Sequence, residues 1–291
     1  MRVLVTGVSG TIGGAAARAF VQRGHQVIGV VTAVTRQVPA GVEPLVADLF
    51  DPAALNGVLG EVDGAVHAAS SNDERAGALD RTVVNSLLDA FEGTGKPLVY
   101  TSGLWLHGNT GDQPATEDRP FAPPTVVSWR PAVEDLLVEA AASRAARTVR
   151  IRPALVYGHG RGYVPMLLNP QDGDQGPVVR HIGDGTNRWA TVHADDLGDL
   201  YALAVESAPS GSVYLAADDR SHQVRDIAQA VADLHGVPVE SWDPLDAEKY
   251  WSVMVEAFLL DQVASSEKAH RELGWRCQRP TLFDDLRTWR L

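Results

Sequence analysis

The sequence predicts a doubly wound parallel α/β domain that carries a smaller C-terminal lobe. Three features predict it. Short, continuous apolar runs alternate with helical segments through the first half, the pattern of a parallel sheet covered on both faces. Glycines spaced G-x-x-G-x-x-G stand between the first apolar run and the first helix. After Gly158 the alternation gives way to a stretch dense in Gly, Pro and Asp, followed mainly by helices.

In order, Arg2 to Thr6 reads as a strand, Thr11 to Arg23 as a helix and Val27 to Val31 as a second strand. Pro44 to Ala47 is a strand, Pro52 to Leu59 a short helix and Gly64 to Ala68 the fourth strand. Leu79 to Phe91 has apolar residues at 79, 83, 84, 87, 88 and 91, a helical period. Leu98 to Thr101 is the next strand, and a polar, proline-punctuated loop runs from Gly108 to about Pro124. Arg130 to Ser143 follows as a helix and Thr148 to Tyr157 as a sixth strand. Gly158 to Gly185 reads as a long excursion, of the kind that carries binding residues. Asp195 to Glu206 is a helix and Ser212 to Ala216 a strand. Val224 to His235, Leu245 to Leu260 and Ser265 to Leu273 are helices of the lobe. The expected division is 1–157 with 186–220 for the sheet domain, and 158–185 with 221–291 for a substrate-binding lobe.

The 291 residues are 45% hydrophobic and 21% charged, which excludes disorder and a disulfide scaffold. A net charge of -12 opposes a surface that tracks nucleic-acid phosphates or anionic membranes. Small-molecule partners are the default, with the chain a monomer or homodimer. The single cysteine, Cys277, excludes an intrachain disulfide and a cysteine metal cage. No export pattern precedes Arg2 and no apolar run approaches ~18 residues, so the expectation is a cytoplasmic protein. His159, His181 and His193 lack metal-ligand spacing, and no metal is expected.

In Thr6-Gly7-Val8-Ser9-Gly10-Thr11-Ile12-Gly13, Gly7 permits a tight turn and Gly10 lets backbone approach a pyrophosphate. The helix opening at Thr11 and Ile12 supplies unpaired N–H groups. This is the dinucleotide turn of a Rossmann domain. Sites for NAD usually carry an acid about 20 residues on. Here the first acidic residue is Glu43, and Thr32 and Arg36 follow the second strand instead. A hydroxyl and a guanidinium suit a 2′-phosphate, so NADP(H) is the expected cofactor.

These residues resemble the signature of extended short-chain dehydrogenases/reductases, the NAD-dependent epimerase/dehydratase group. Asp48-Leu49, Asp63-Gly64-x-Val66-His67-Ala68-Ala69, Arg152-Pro153 to Tyr157-Gly158, and Asn187-Arg188-Trp189 to Asp195-Asp196-Leu197 resemble its later landmarks in order. The resemblance implies further cofactor contacts at Asp48, Leu49, Ala68, Ala69, Ser70, Pro153 and Val156.

The family's proton chemistry rests on a Tyr-x-x-x-Lys helix beside a Ser or Thr. Registered on Glu134, this chain places Val126 at the tyrosine and Arg130 at the lysine, with Pro131 limiting how far the helix extends before it. Counting back from Gly108 puts Gly103 on the usual serine position, with Ser102 one residue earlier as the candidate catalytic group. Gly103, Trp105, His107, Tyr157 and Arg188 are candidate substrate contacts. The expectation is an NADPH-dependent ketoreductase without a catalytic tyrosine, drawing its proton from substrate or water. It is similar in this respect to angucyclinone-type ketoreductases of aromatic polyketides in antibiotic biosynthesis. A non-catalytic NADP(H)-binding regulator, a nucleotide-sugar epimerase or dehydratase, and a redox-inactive isomerase or lyase remain open.

Overall fold

A computed structural model describes residues 1–289. The elements run β1 (Arg2–Thr6), α1 (Thr11–Gln22), β2 (Gln26–Val31), β3 (Val42–Val46), α2 (Asn56–Leu59), β4 (Gly64–His67), α3 (Ala76–Phe91) and β5 (Pro97–Thr101). Then come α4 (Arg130–Ser143), β6 (Arg147–Pro153), β7 (Leu155–Tyr157), α5 (Tyr163–Leu168), β8 (Gln171–Gly173), β9 (Gly176–Ile182), β10 (Arg188–His193), α6 (Ala194–Ser207) and β11 (Ser212–Ala216). The chain continues through β12 (Ser221–Gln223), α7 (Val224–His235), β13 (Val239–Trp242), α8 (Pro244–Trp251), α9 (Met254–Phe258), α10 (Glu267–Leu273) and α11 (Leu282–Leu286).

Seven strands form one parallel sheet in the order β11-β6-β5-β4-β1-β2-β3. The chain order reverses between β1 and β4, the switch point at whose carboxyl ends such sheets bind ligands. Val3 of β1 lies opposite Val27 on one side and Gly64 on the other. Such β-branched, two-face-buried strands are why the central runs read as unbroken apolar stretches. One core cluster packs α1 and α6 on one face of the sheet, and a second packs α3 and α4 on the other. The α1–α6 contact needs small residues, since a Cβ on Gly198 would fall 2.5 Å from the Ala15 carbonyl oxygen.

A third cluster, including Val164, Trp189, Ile227 and Phe258, forms the smaller lobe. The single strand expected over 148–157 is two. β6 stays in the large sheet to Pro153, while β7 pairs with β10, and β10 with β12, in a separate sheet. The Gly158 to Gly185 excursion contains helix α5 and the hairpin β8–β9, which joins β13. The helix expected over 245–260 breaks at Ser252, whose φ of 51° no α-helix accommodates. No described helix is long and apolar enough to cross a membrane.

Candidate active site

The glycine turn spans the switch point. Gly7 has φ 69°, and a Cβ there would lie 2.5 Å from the Ala68 carbonyl oxygen, so the turn rests directly on the end of β4. A Cβ on Gly13 would lie 2.4 Å from the Gly7 carbonyl oxygen. These two glycines are required by the protein itself. Gly10 differs: it is exposed, its φ is −84°, and an added Cβ meets only the Gly7 oxygen at 3.1 Å. Gly10 caps α1 with no side-chain hydrogen bond, which leaves N–H groups of the half-buried Thr11 and Ile12 turn unsatisfied by a cap. Open space above Gly10 and free donors at a helix start together fit a pyrophosphate.

Beyond β2, Thr32 and Arg36 are exposed, and no carboxylate among the described residues lies within ion-pair distance of Arg36. Asp48 is exposed and accepts from Phe50 N at 3.0 Å, while Leu49 is buried beneath it. Ala68 and Ala69 are half-buried and Ser70 is exposed at the end of β4. Their backbone is held by Thr6, whose Oγ1 accepts from Ala68 N (3.1 Å) and Ala69 N (3.2 Å) and bonds His67 Nδ1 at 2.7 Å. The chain continues from His67 Nε2 to Asp80 at 3.2 Å, and the Tyr100 hydroxyl donates to Asp80 at 2.5 Å. Sequence reasoning missed this buried series. Its signal was His67 and Asp80 standing on otherwise apolar element faces.

Ser102 is buried, and its hydroxyl donates to Glu134 Oε1 at 2.5 Å. Arg152 grips the same carboxylate with two bonds, Nε to Oε1 at 2.9 Å and Nη2 to Oε2 at 2.6 Å, and Arg150 lies at 3.5 Å. Burial works against the charge on Glu134, but the hydrogen bonds and charge of Arg152 outweigh it, and the carboxyl is held below its ordinary range. Ser102 therefore serves a buried ion network, because a hydroxyl beside a paired carboxylate is drawn to it. His107, a candidate substrate contact, lies on the same network. It is 1% exposed, with Nε2 3.2 Å from Arg152 Nη1. An arginine only donates, so this imidazole is neutral, and burial followed by the Arg152 charge pushes its pKa down to about 4.

Tyr157 is likewise buried, its hydroxyl donating to the Pro280 carbonyl at 2.8 Å. Arg188, a candidate substrate contact, makes two bonds to Asp261 at 2.8 and 2.7 Å and reaches Asp112 at 3.0 Å. Its charge is already neutralised. Pro153 and Val156 are buried where β6 passes into β7.

Open positions remain at the end of β5. A Cβ on Gly103 would meet nothing within 4 Å, and Trp105 is half-buried with its ring 5.2 Å from Tyr163 and 6.4 Å from Phe258. Val126 and Arg130 are half-buried, and Arg130 Nη1 donates to the Thr101 carbonyl at 2.7 Å. Tyr163 was missed in the sequence because it lies in the glycine-rich excursion, far from any tyrosine motif.

The segment 158–162 forms a strap over the glycine turn: His159 Nε2 meets Asp195 at 2.8 Å and Arg161 reaches the Ser9 carbonyl at 3.3 Å. His159, His193 and Asp195 thus cluster with ligand atoms within 4.8 Å of one another. Their chemistry does not favour a cation. His193 Nδ1 accepts from Asp195 N at 3.1 Å, which leaves a proton on Nε2, and Arg18 already pairs Asp195 at 2.7 Å.

A seven-stranded parallel sheet headed by a glycine turn at its switch point defines a Rossmann-type nucleotide-binding α/β protein. Within that class the chain belongs to the NAD dependent epimerase/dehydratase family, whose model matches residues 3–217. It is 30% identical to the uncharacterized protein YLL056C of Saccharomyces cerevisiae, over 99% of this chain and 98% of that one. It is 29% identical to a 2-alkyl-3-oxoalkanoate reductase of Stenotrophomonas maltophilia, over 82% of this chain and 77% of that one. A farnesyl-dihydroquinoline-oxide ketoreductase of Stigmatella aurantiaca is 25% identical, over 94% and 92%. Among solved structures, a UDP-glucose 4-epimerase of Thermus thermophilus in complex with NAD superposes with a TM-score of 0.80 at 23% identity, covering 99% of both chains.

Proposed function

We propose that this chain is an NADPH-dependent ketoreductase acting on a small-molecule carbonyl, of the secondary-metabolite and aromatic-polyketide kind. The observation that carries the reading is the carboxyl end of β5, where Gly103 leaves open space beside an aromatic wall of Trp105, Tyr163 and Phe258. Bound at the glycine turn, NADPH would supply the hydride. Thr32 and Arg36 would hold its 2′-phosphate, and Asp48, Ala68, Ala69 and Ser70 would line the path between its adenine and nicotinamide ends. The named reductases among the relatives support this chemistry. The family resemblance assigns the Arg188 position to a sugar diphosphate, and its pairing with Asp261 and Asp112 speaks against that grip and so against an epimerase. The lobe of 158–185 and 221–291 would cover the substrate.

Val126 leaves the tyrosine position, in the turn before α4, without a proton to give, and this favours one competitor, a non-catalytic NADP(H)-binding regulator. Calorimetric titration of NADPH and NADH, followed by NADPH oxidation against hydroxylated aromatic ketones, separates them. Tight NADPH binding with turnover of a ketone is expected; tight binding with no turnover on any ketone replaces the reductase with the regulator.

A further inference from the structure

Resting on the reading of the glycine turn as a dinucleotide site, we infer that Arg161, presented by the lobe, is a further ligand of the cofactor's diphosphate. A diphosphate bridge is doubly charged, yet Thr6 to Gly13 holds no charged side chain and the chain as a whole carries a net charge of -12. Backbone N–H groups and a helix end offer only partial charges. Arg161 offers a whole one. Its Nη2 donates to the Ser9 carbonyl at 3.3 Å, in the middle of the turn and next to the open space at Gly10. Among the described residues no other cationic side chain hydrogen-bonds to residues 7–13, and no carboxylate lies within ion-pair distance of Arg161.

The backbone fixes where this arginine stands. Arg161 N closes a turn on the Gly158 carbonyl at 3.2 Å, and the two residues between them, His159 and Gly160, have φ 59° and 66°. A residue with a side chain seldom takes that left-handed conformation, and His159 is held in it by the bond from Nε2 to Asp195 at 2.8 Å. On the other side of Arg161, Gly162 has φ 102° and lies so close to the Val156 carbonyl that a Cβ would overlap it. Strained backbone of this kind collects at ligand clamps. Asp195 does not draw the guanidinium away, because one of its oxygens is taken by His159 and the other by Arg18 at 2.7 Å. The one side-chain bond of Arg161 is therefore the long one to Ser9, and phosphate oxygens at the turn would replace that carbonyl with shorter, charge-assisted bonds. The diphosphate is common to NADPH and NADH, so Arg161 serves both, whereas Arg36 serves only the 2′-phosphate.

Calorimetric titration of the full chain with NADPH, NADH and ADP tests the assignment. Arg161→Ala is expected to weaken all three by about tenfold, the low end for a hydrogen bond to a charged group, while melting without cofactor matches the wild type. Arg161→Lys keeps the charge and recovers part of the loss. His159→Ala frees the turn and weakens all three ligands through Arg161, so adding it to Arg161→Ala costs nothing more; additive losses overturn the positioning by His159. Unchanged affinity in Arg161→Ala, a loss confined to NADPH, a loss that spares ADP, or a lowered melting temperature without cofactor each overturns the diphosphate assignment and leaves the cofactor reading standing. Wild-type protein that binds neither dinucleotide overturns the cofactor reading, and Arg161 falls with it.

Discussion

Gly10 and Gly13 stand three residues apart on one turn, yet a side chain does different damage at each. At Gly13 the new Cβ would collide with the backbone of Gly7, so Gly13→Val is expected to fail to fold or to melt far below the wild type. At Gly10 the collision is with a ligand. Gly10→Val is expected to keep the circular dichroism spectrum and melting cooperativity of the parent and to lose NADPH binding in calorimetry. No carboxylate among the described residues pairs with Arg36, so Arg36→Ala is expected to weaken NADPH by about 1.5–3 kcal/mol, the worth of a charge-assisted hydrogen bond, and to leave NADH unchanged. Equal loss for both cofactors would return Arg36 to a structural role. At this scale the glycine turn between β1 and α1 was legible in sequence because its spacing is local. The partners of Ser102, His107 and Arg188 were not, since Glu134, Arg152 and Asp261 lie on other elements and only the fold brings them together.

Helix α4 and strand β6 are clamped by Glu134 and the two arginines, a buried ion pair whose rupture strands charge in the core. Glu134→Gln is expected to cost about 3–5 kcal/mol in urea denaturation. The clamp also sets an acid limit in two stages. His107 is neutral in the folded chain, with its pKa pushed from 6.5 to about 4, so the unfolded chain binds the proton first. Stability is therefore lost as pH falls from about 6.5 to about 4, and His107→Gln should flatten that part of the profile. The depressed Glu134 carboxyl contributes stability above its ordinary range, and this is lost as pH falls further through its folded value. Strands buried on both faces, such as β1 and β4, were legible as apolar runs. β8, β12 and β13 were not, because each is short, has a polar or exposed face and gains its stability from pairing with a distant strand.

For the molecule as a whole, cofactor binding and folding are linked. At 100 times its dissociation constant, NADPH should raise the unfolding free energy by about 2.7 kcal/mol, visible as a higher melting temperature, and NADH at the same concentration should raise it less. The net charge of -12 opposes a polyanionic ligand at long range, so the short-range donors of the turn and Arg36 have to carry recognition.

The strap at 158–162 touches the glycine turn through Arg161 and α6 through His159, and it leads directly into Tyr163. If a dinucleotide binds at the turn, it would lie against those contacts, whereas on the reductase reading the carbonyl compound would enter beside Trp105. On the reductase reading, the expected consequence is a sequence in time, with cofactor entering first, its oxidised form departing last and the strap released once per cycle. Product-inhibition kinetics should then show the oxidised dinucleotide competing with NADPH and the alcohol product competing with neither substrate, and Arg161→Ala should speed the final release.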